Sequence, residues 1–289
     1  MDAPKNAAQH TAMQPAGSTI HPHVVQSLIM KQITLPFTAV FEFHDELNEF
    51  LPMSRRGRCN QYLFDKTPSV KDAVEAQGVP HTEVGLITVN HVPIGFGYHC
   101  RDTDRFDVYP VNSGVTAEPR ALLRPEPMTC SGFILDVHLG KLARLMRLMG
   151  FDTLYRNDYD DPEIVRLSIA ENRAVITRDR ALLHARVIDY GYCIMSTDAT
   201  EQLSGVIRRF NLQNSIVPFS RCLACNGKLY PVDKASIITQ LEPLTIQFFD
   251  TFFRCNDCGK VYWRGSHAEK LEKTVSRFTE SESVSEPDK

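Results

Sequence analysis

The chain has 289 residues, and at about 150 residues per domain that length predicts two domains with room for a small third. Hydrophobic residues make up 43% and charged residues 23%, which predicts buried cores and excludes a wholly disordered chain. No apolar run of about 18 residues occurs, which excludes a helical membrane span, and a net charge of −3 excludes a uniformly basic protein but not a local basic patch.

Residues 1–32 are rich in Ala, Gln, His and Pro and read as a disordered tail. They lack the basic start and apolar stretch of a secretory signal, so a cytoplasmic location is expected. Residues 33–111 predict an α+β domain. ITLPFTAVFEFH carries a strand ending near Phe43, and QYLFD alternates as a second strand. Ser69 opens the helix SVKDAVEAQG, with Asp72 in a capping-box position and Gly78 as its stop. VGLITVN and RFDVYPV are further strands. The order β-β-α-β-β is that of a β-grasp, ubiquitin-like fold. Residues 33–110 hold seven Lys/Arg and eleven Asp/Glu, a net of −4. Their one basic cluster, Arg55, Arg56 and Arg58, reads either as an anion or partner contact or as a solvated loop.

Residues 112–130 hold three prolines and read as a linker. Residues 131–215 then alternate strand and helix: FILD, a helix over about His138 to Met149, TLYR, a helix from Asp161-Pro162 to Ala170, AVIT, the helix RALLHARVIDY, YCIM, and a helix from Asp198 to Phe210. This β-α-β-α-β-α-β-α order predicts an α/β domain with a mainly parallel sheet and helices on both faces. Residues 216–271 form a small third module, and the Ser/Glu-rich residues 272–289 read as a second disordered tail.

Parallel sheets bind ligands beyond the carboxyl ends of their strands, and aspartates collect there. Asp136 ends the first strand. Asp158, Asp160 and Asp161 follow the second, Asp179 the third and Asp198 the fourth. Converging carboxylates repel unless a hard cation such as Mg²⁺ or Mn²⁺ joins them. Asp161, Asp198 and Asp179 also sit where helix N-caps belong, which needs no catalytic role. Asp136 interrupts an apolar stretch before any clear helix, and a cap explains it less well. Lys141, Arg144 and Arg147 recur opposite the apolar face of the first helix, and Arg178 and Arg180 flank Asp179. These basic residues read either as phosphate contacts or as solvated surface.

Cys222-Leu-Ala-Cys225 and Cys255-Asn-Asp-Cys258 bracket 29 residues. Two Cys-x-x-Cys turns complete a tetrahedron of thiolates with no open position, so a structural zinc is expected. Gly227 and Gly259 follow the two turns, where positive φ is needed. Arg254, Lys260, Tyr262, Trp263, Arg264 and His267 surround the second pair, either as a single-stranded nucleic-acid grip or as the core of a small module. The isolated Cys59, Cys100, Cys130 and Cys193 are expected to be plain buried residues.

The stretch FILDVHLGKLARLMRLMGFDT, then DDPEIV, AVITRDRALL and the two cysteine pairs closing with CGKVYWRGSH, resembles the Mut-seven C-terminal RNase family, a PIN-like domain followed by a zinc ribbon. FHDELNEFLPMSRRGR, SVKDAVEAQGVPHTEVGLITVN and DRFDVYPV resemble the ubiquitin-like domain that precedes it in many bacterial proteins. Together the likeness covers about residues 33–270. It implies a Mg- or Mn-dependent (endo)ribonuclease whose acids map onto Asp136, Asp161 and Asp179, with Asp160 a rival for Asp161 and Asp198 a loose fourth. Its expected substrate is RNA, with tRNA and ribosome-associated RNA as candidates. The ubiquitin-like domain has no terminal Gly-Gly, since the chain continues at Val111-Asn112, so partner docking or RNA positioning is expected of it rather than conjugation. The runner-up reading is a non-catalytic RNA- or ribosome-binding adaptor whose acids are helix caps.

Overall fold

The computed structural model describes residues 36–114, 122–124, 130–263, 275–276 and 278. Strand β1 (Phe37–Phe43) buries every second residue, Ala39, Phe41 and Phe43, as a half-buried strand must. It pairs antiparallel with β2 (Cys59–Phe64) and parallel with β5 (Arg105–Pro110). Strand β3 (Val84–Val89) pairs antiparallel with β5, and β4 (Val92–Ile94) with β3, giving the order β2-β1-β5-β3-β4. Helix α1 (Val70–Ala76) opens at Ser69, whose hydroxyl accepts the Asp72 N–H at 3.1 Å. It closes before Gly78, which takes φ +95°. A mixed sheet with one helix buried against it is the predicted ubiquitin-like fold. Strand β4 is an addition: Asn90 and His91 both adopt positive φ, the twist a two-residue hairpin needs, but without the glycine that announces such a turn.

The second sheet is wholly parallel, in the order β7-β6-β8-β9. In chain order its elements are β6 (Gly132–Leu135), α2 (Gly140–Leu148), β7 (Thr153–Leu154), α3 (Asp161–Ala170), β8 (Arg173–Thr177), α4 (Arg180–Leu183), β9 (Gly191–Cys193) and α5 (Ala199–Arg209). Period-two alternation divides the strands between two cores. Phe133, Leu135, Ala174 and Ile176 pack with Leu142 and Met146 of α2 and Leu203 and Val206 of α5. Ile134 and Val175 face the other way and join Leu182, Leu183 and Ile188 in a cluster continuous with Phe41, Phe43 and Leu47 of the ubiquitin-like module.

That module is fastened to β9. The Glu83 carboxylate accepts the Cys193 N–H at 2.6 Å. Arg209 donates to the carbonyls of Thr82 (2.5 Å) and Gly191 (3.3 Å) and lies 3.7 Å from Glu83. Asn112 donates to the Arg208 and Arg209 carbonyls at the end of α5. Of the expected linker, residues 115–121 and 125–129 lie outside the described residues, but Arg124 is buried and donates to the His81 and Asp189 carbonyls. This part of the segment is a tie between modules.

The helix expected over RALLHARVIDY is a single turn. After Leu183 the chain turns so that the Ile188 carbonyl meets His81 Nε2 at 3.0 Å and the Asp189 carbonyl meets Arg124. Tertiary partners here replace helical ones. Strands β10 (Leu229–Val232), β11 (Phe252–Cys255) and β12 (Val261–Trp263) form an antiparallel sheet, with α6 (Lys234–Ile237) and α7 (Pro243–Phe248) between the first two. Within the expected C-terminal tail, Val275 and Phe278 pack against the α2–α5 core. Residues 1–35 lie outside the described residues. Among the described residues no helix is long and apolar enough to cross a membrane.

Candidate functional site

Asp136 follows β6 and is only 7% exposed. Its backbone N–H continues the ladder to the Ile176 carbonyl, and its carboxylate caps nothing. It accepts instead a 2.9 Å hydrogen bond from the Thr177 hydroxyl at the end of the neighbouring strand. The same hydroxyl oxygen accepts the Asp179 N–H at 2.8 Å. One side chain thus ties the buried acid of β6 to the turn that carries Asp179. Asp179 caps α4 through one oxygen, which accepts the Ala181 N–H at 2.8 Å, and leaves the other outside that bond.

The two adjacent acids of the α3 turn divide their roles. Asp160 is the N-cap, accepting the Glu163 N–H at 2.9 Å. Asp161, expected as a cap, is the first helical residue and has no capping bond. Burial pushes the Asp161 carboxyl up, and the neighbouring Asp179, Asp136 and Asp160 push it further. Asp161 therefore lies in the field of Asp136 and Asp179. Asp198 is spent as the cap of α5, accepting from Thr200 and Glu201. Asp158 is exposed and paired with Arg156 at 2.6 Å. Among the described residues the three acids do not close to the 4.8 Å separation that unites the cysteine ligands. They form an open acidic edge, and its mutual repulsion is of the kind a divalent cation relieves.

The basic residues separate into two groups. Lys141, Arg144 and Arg178 are exposed. Arg147 is not part of the expected surface stripe, being 4% exposed. Its Nε donates to the Thr153 carbonyl at 3.0 Å and its Nη1 to the Ala224 and Leu223 carbonyls at 2.9 and 3.3 Å. At 100° per residue, Arg147 lies only 40° from Ala143, on the flank of the apolar face, and that flank meets the first cysteine turn. Arg180 is half-buried and donates to the Phe50 and Glu49 carbonyls at 3.0 and 3.3 Å.

The four cysteines converge as expected, with all four sulfurs within 4.8 Å of one another. Cys222 and Cys258 lie 3.6 Å apart and Cys225 and Cys255 3.4 Å apart, near the ~3.8 Å edge of a thiolate tetrahedron with 2.3 Å metal–sulfur bonds. Burial opposes ionisation of Cys222, but the Tyr262 hydroxyl at 3.1 Å and nearby backbone amides outweigh it and bring the thiol down to about 6. The first turn departs in detail. Positive φ falls on Asn226 (φ +75°), not Gly227, while Gly259 takes +73° as expected. Gly227 is needed for space, because a Cβ there would lie 2.8 Å from Cys255 Sγ. Arg264 and His267 lie outside the described residues. Of the isolated cysteines, Cys100 and Cys193 are buried, Cys130 is half-buried, and Cys59 is exposed on β2.

Sequence reasoning missed Thr177 as the link between two acids, although a hydroxyl two residues before Asp179 is the spacing of a side-chain turn. It also missed Asp152, which accepts from Arg173 (2.6 Å), Arg221 (2.9 Å) and Asn226 (2.9 Å) and locks the cysteine module to β7. A cleft of about 320 Å³ opens along that seam, with Arg173, Lys228, Tyr230 and Asn256 among its walls and none of the three site acids.

A family model described as Mut7-C RNAse domain matches residues 131–275, and one described as Mut7-C ubiquitin matches residues 37–115. No curated protein and no solved structure matches the chain.

Proposed function

The chain belongs to the Mut7-C RNAse domain family, whose model covers half its length, and from that premise we propose that it is a divalent-cation-dependent ribonuclease acting in the cytoplasm. The observation that carries the reading is the Thr177 hydroxyl, which joins the buried Asp136 to the Asp179 turn with Asp161 in the field of both. Asp136, Asp161 and Asp179 would hold Mg²⁺ or Mn²⁺. Bound there, such an ion supplies an activated water and neutralises charge on the leaving oxygen. The chain's own residues orient and bind. Thr177 fixes the Asp136 carboxylate, and burial keeps that carboxylate in one position. Lys141, Arg144 and Arg178 would take the backbone phosphates of RNA, which tRNA or ribosome-associated RNA would supply, and Arg180 would add its half-exposed charge.

Zinc is the metal proposed for the four cysteines. With every position filled by thiolate it would be structural, and Lys260, Arg254 and the partly exposed Trp263 would offer RNA a basic and aromatic face. One observation favours the adaptor reading: Asp160, Asp179 and Asp198 all serve as caps. The test is cleavage of single-stranded RNA by Asp136→Asn and Asp179→Asn variants, with Mg²⁺ or Mn²⁺ supplied and withdrawn. Ribonuclease action predicts that both variants lose cleavage. Binding without cleavage in the parent protein would leave the adaptor.

A further inference from the structure

The ubiquitin-like module is acidic overall, yet three of its seven basic residues between positions 37 and 110 fall at Arg55, Arg56 and Arg58. All three side chains are exposed, and none forms an ion pair among the described residues. The loop that carries them is built, not loose. Gly57 takes φ +61° and its N–H is held by the Asn48 side chain at 2.7 Å. Asn60 donates to the Arg55 and Arg58 carbonyls at 3.2 and 2.9 Å. Arg56 Nε donates to the Leu51 carbonyl at 3.0 Å.

The loop's position gives these charges a use. Arg56 Nη2 donates to the Glu49 carbonyl at 3.2 Å, and Arg180 Nη2 donates to the same oxygen at 3.3 Å. Arg180 follows Asp179 directly, and its guanidinium also lies 5.0 Å over the Phe50 ring. A guanidinium of the ubiquitin-like module and one of the nuclease module therefore meet on one oxygen atom beside the acidic edge. Among the described residues neither guanidinium is ion-paired with a carboxylate; two cations brought this close repel, and a polyanion spanning both modules relieves that repulsion.

We propose that Arg55, Arg56 and Arg58 form, with Arg178 and Arg180, a continuous phosphate-binding surface that leads single-stranded RNA from the ubiquitin-like module to the strand-end acids. The inference rests on the ribonuclease reading for its choice of polyanion. It makes the ubiquitin-like module a substrate-positioning arm.

The experiment is equilibrium binding of a fluorescein-labelled oligouridylate to the full chain, followed by anisotropy with no divalent cation added. Replacing Arg55, Arg56 and Arg58 together by Ala is expected to weaken binding at least about tenfold at ~100 mM salt and to flatten the log–log salt slope by about 2, at roughly 0.7 for each lost single-strand contact. Arg56 also braces the loop, so Arg55→Glu with Arg58→Glu is the second variant. Among the described residues those two side chains make no hydrogen bond or ion pair, and an unchanged melting temperature with the same loss is expected. Lys66→Ala with Arg101→Ala, which removes two charges elsewhere in the module, is expected to bind nearly as the parent does. Parent-like RNA affinity in both loop variants overturns the proposal and leaves the loop to a protein partner. An equal loss in the Lys66/Arg101 control overturns it too, since only net charge would then matter. Because no cleavage is read, a protein that binds through the loop but never cuts RNA sinks the nuclease reading and not this one.

Discussion

Replacing Arg147 by Met separates what the helix pattern suggests from what the packing dictates. A surface arginine of an RNA-binding stripe would leave stability unchanged and lower RNA affinity. The buried Arg147 instead holds four carbonyls, those of Thr153, Ala224 and Leu223 at 2.9 to 3.3 Å and that of Tyr155 at 3.5 Å. A hydrogen bond to a charged group contributes roughly 1.5–3 kcal/mol. Burial also lowers the Arg147 pKa, so part of that gain is offset by desolvation. A net loss of about 3 kcal/mol follows for the variant, or roughly 6–12 °C in melting temperature at 2–4 °C per kcal/mol for a domain of this size. The loss falls on the segment bearing Cys222 and Cys225, so the zinc proposed there should pass to a competing chelator faster than in the parent. Calorimetry, a chelator-release time course and RNA anisotropy together test this, with Arg144→Ala as comparison. If Arg147→Met keeps its melting temperature and its zinc but loses RNA affinity as Arg144→Ala does, the structural argument is refuted.

Three further outcomes are expected. Thr177→Val removes the hydroxyl that orients Asp136 and should lower cleavage by about 10–100-fold, the usual cost of losing a ligand-orienting partner; full activity in a folded variant would detach Thr177 from the site. Asp161→Ala should abolish cleavage, whereas Asp160→Ala should cost about 1 kcal/mol of stability through the lost cap and keep most activity; melting curves and RNA cleavage read side by side would expose a reversed assignment. Burial holds the Glu83 carboxyl above its ordinary value of 4.5 despite Arg209. A raised acid binds more protons folded than unfolded, so its contribution is present below about 4.5 and is lost as pH rises through the folded value. Urea unfolding across that range should show this decline, and Glu83→Gln should flatten it.

The parts legible in the sequence were those that repeat. Alternation along Phe37–Phe43 and the strand–helix recurrence after residue 131 identified two sheets, and the two Cys-x-x-Cys turns identified the sulfur centre, because each is a local pattern with one physical reading. Asp136 was legible for the same reason, as an acid in an apolar strand end. What escaped was set by distant partners. Arg147 sits at the border of a helix face, and only the cysteine turn packed against it decides that it is buried. Leu183 ends a helix that local propensity would continue, because His81 and Arg124 take the carbonyls downstream. Asp160 and Asp161 are neighbours of identical chemistry, and the placement of the helix start, not composition, separates the capping acid from the uncapped one.

The fastening of Glu83, Thr82 and Arg209 onto Gly191 and Cys193 has a consequence for how this protein is made and kept. Strand β9 is the last strand of its sheet, and a bare outer strand is a template on which another chain can add. At that border the ubiquitin-like module sets the Glu83 carboxylate on the Cys193 N–H, and Arg209 of α5 bridges the Gly191 carbonyl to the Thr82 carbonyl of that module, so these two backbone groups are closed to a foreign strand. Severed from its neighbour, the nuclease half would expose this border and invite self-association. The ubiquitin-like half accordingly shields this border of the parallel sheet.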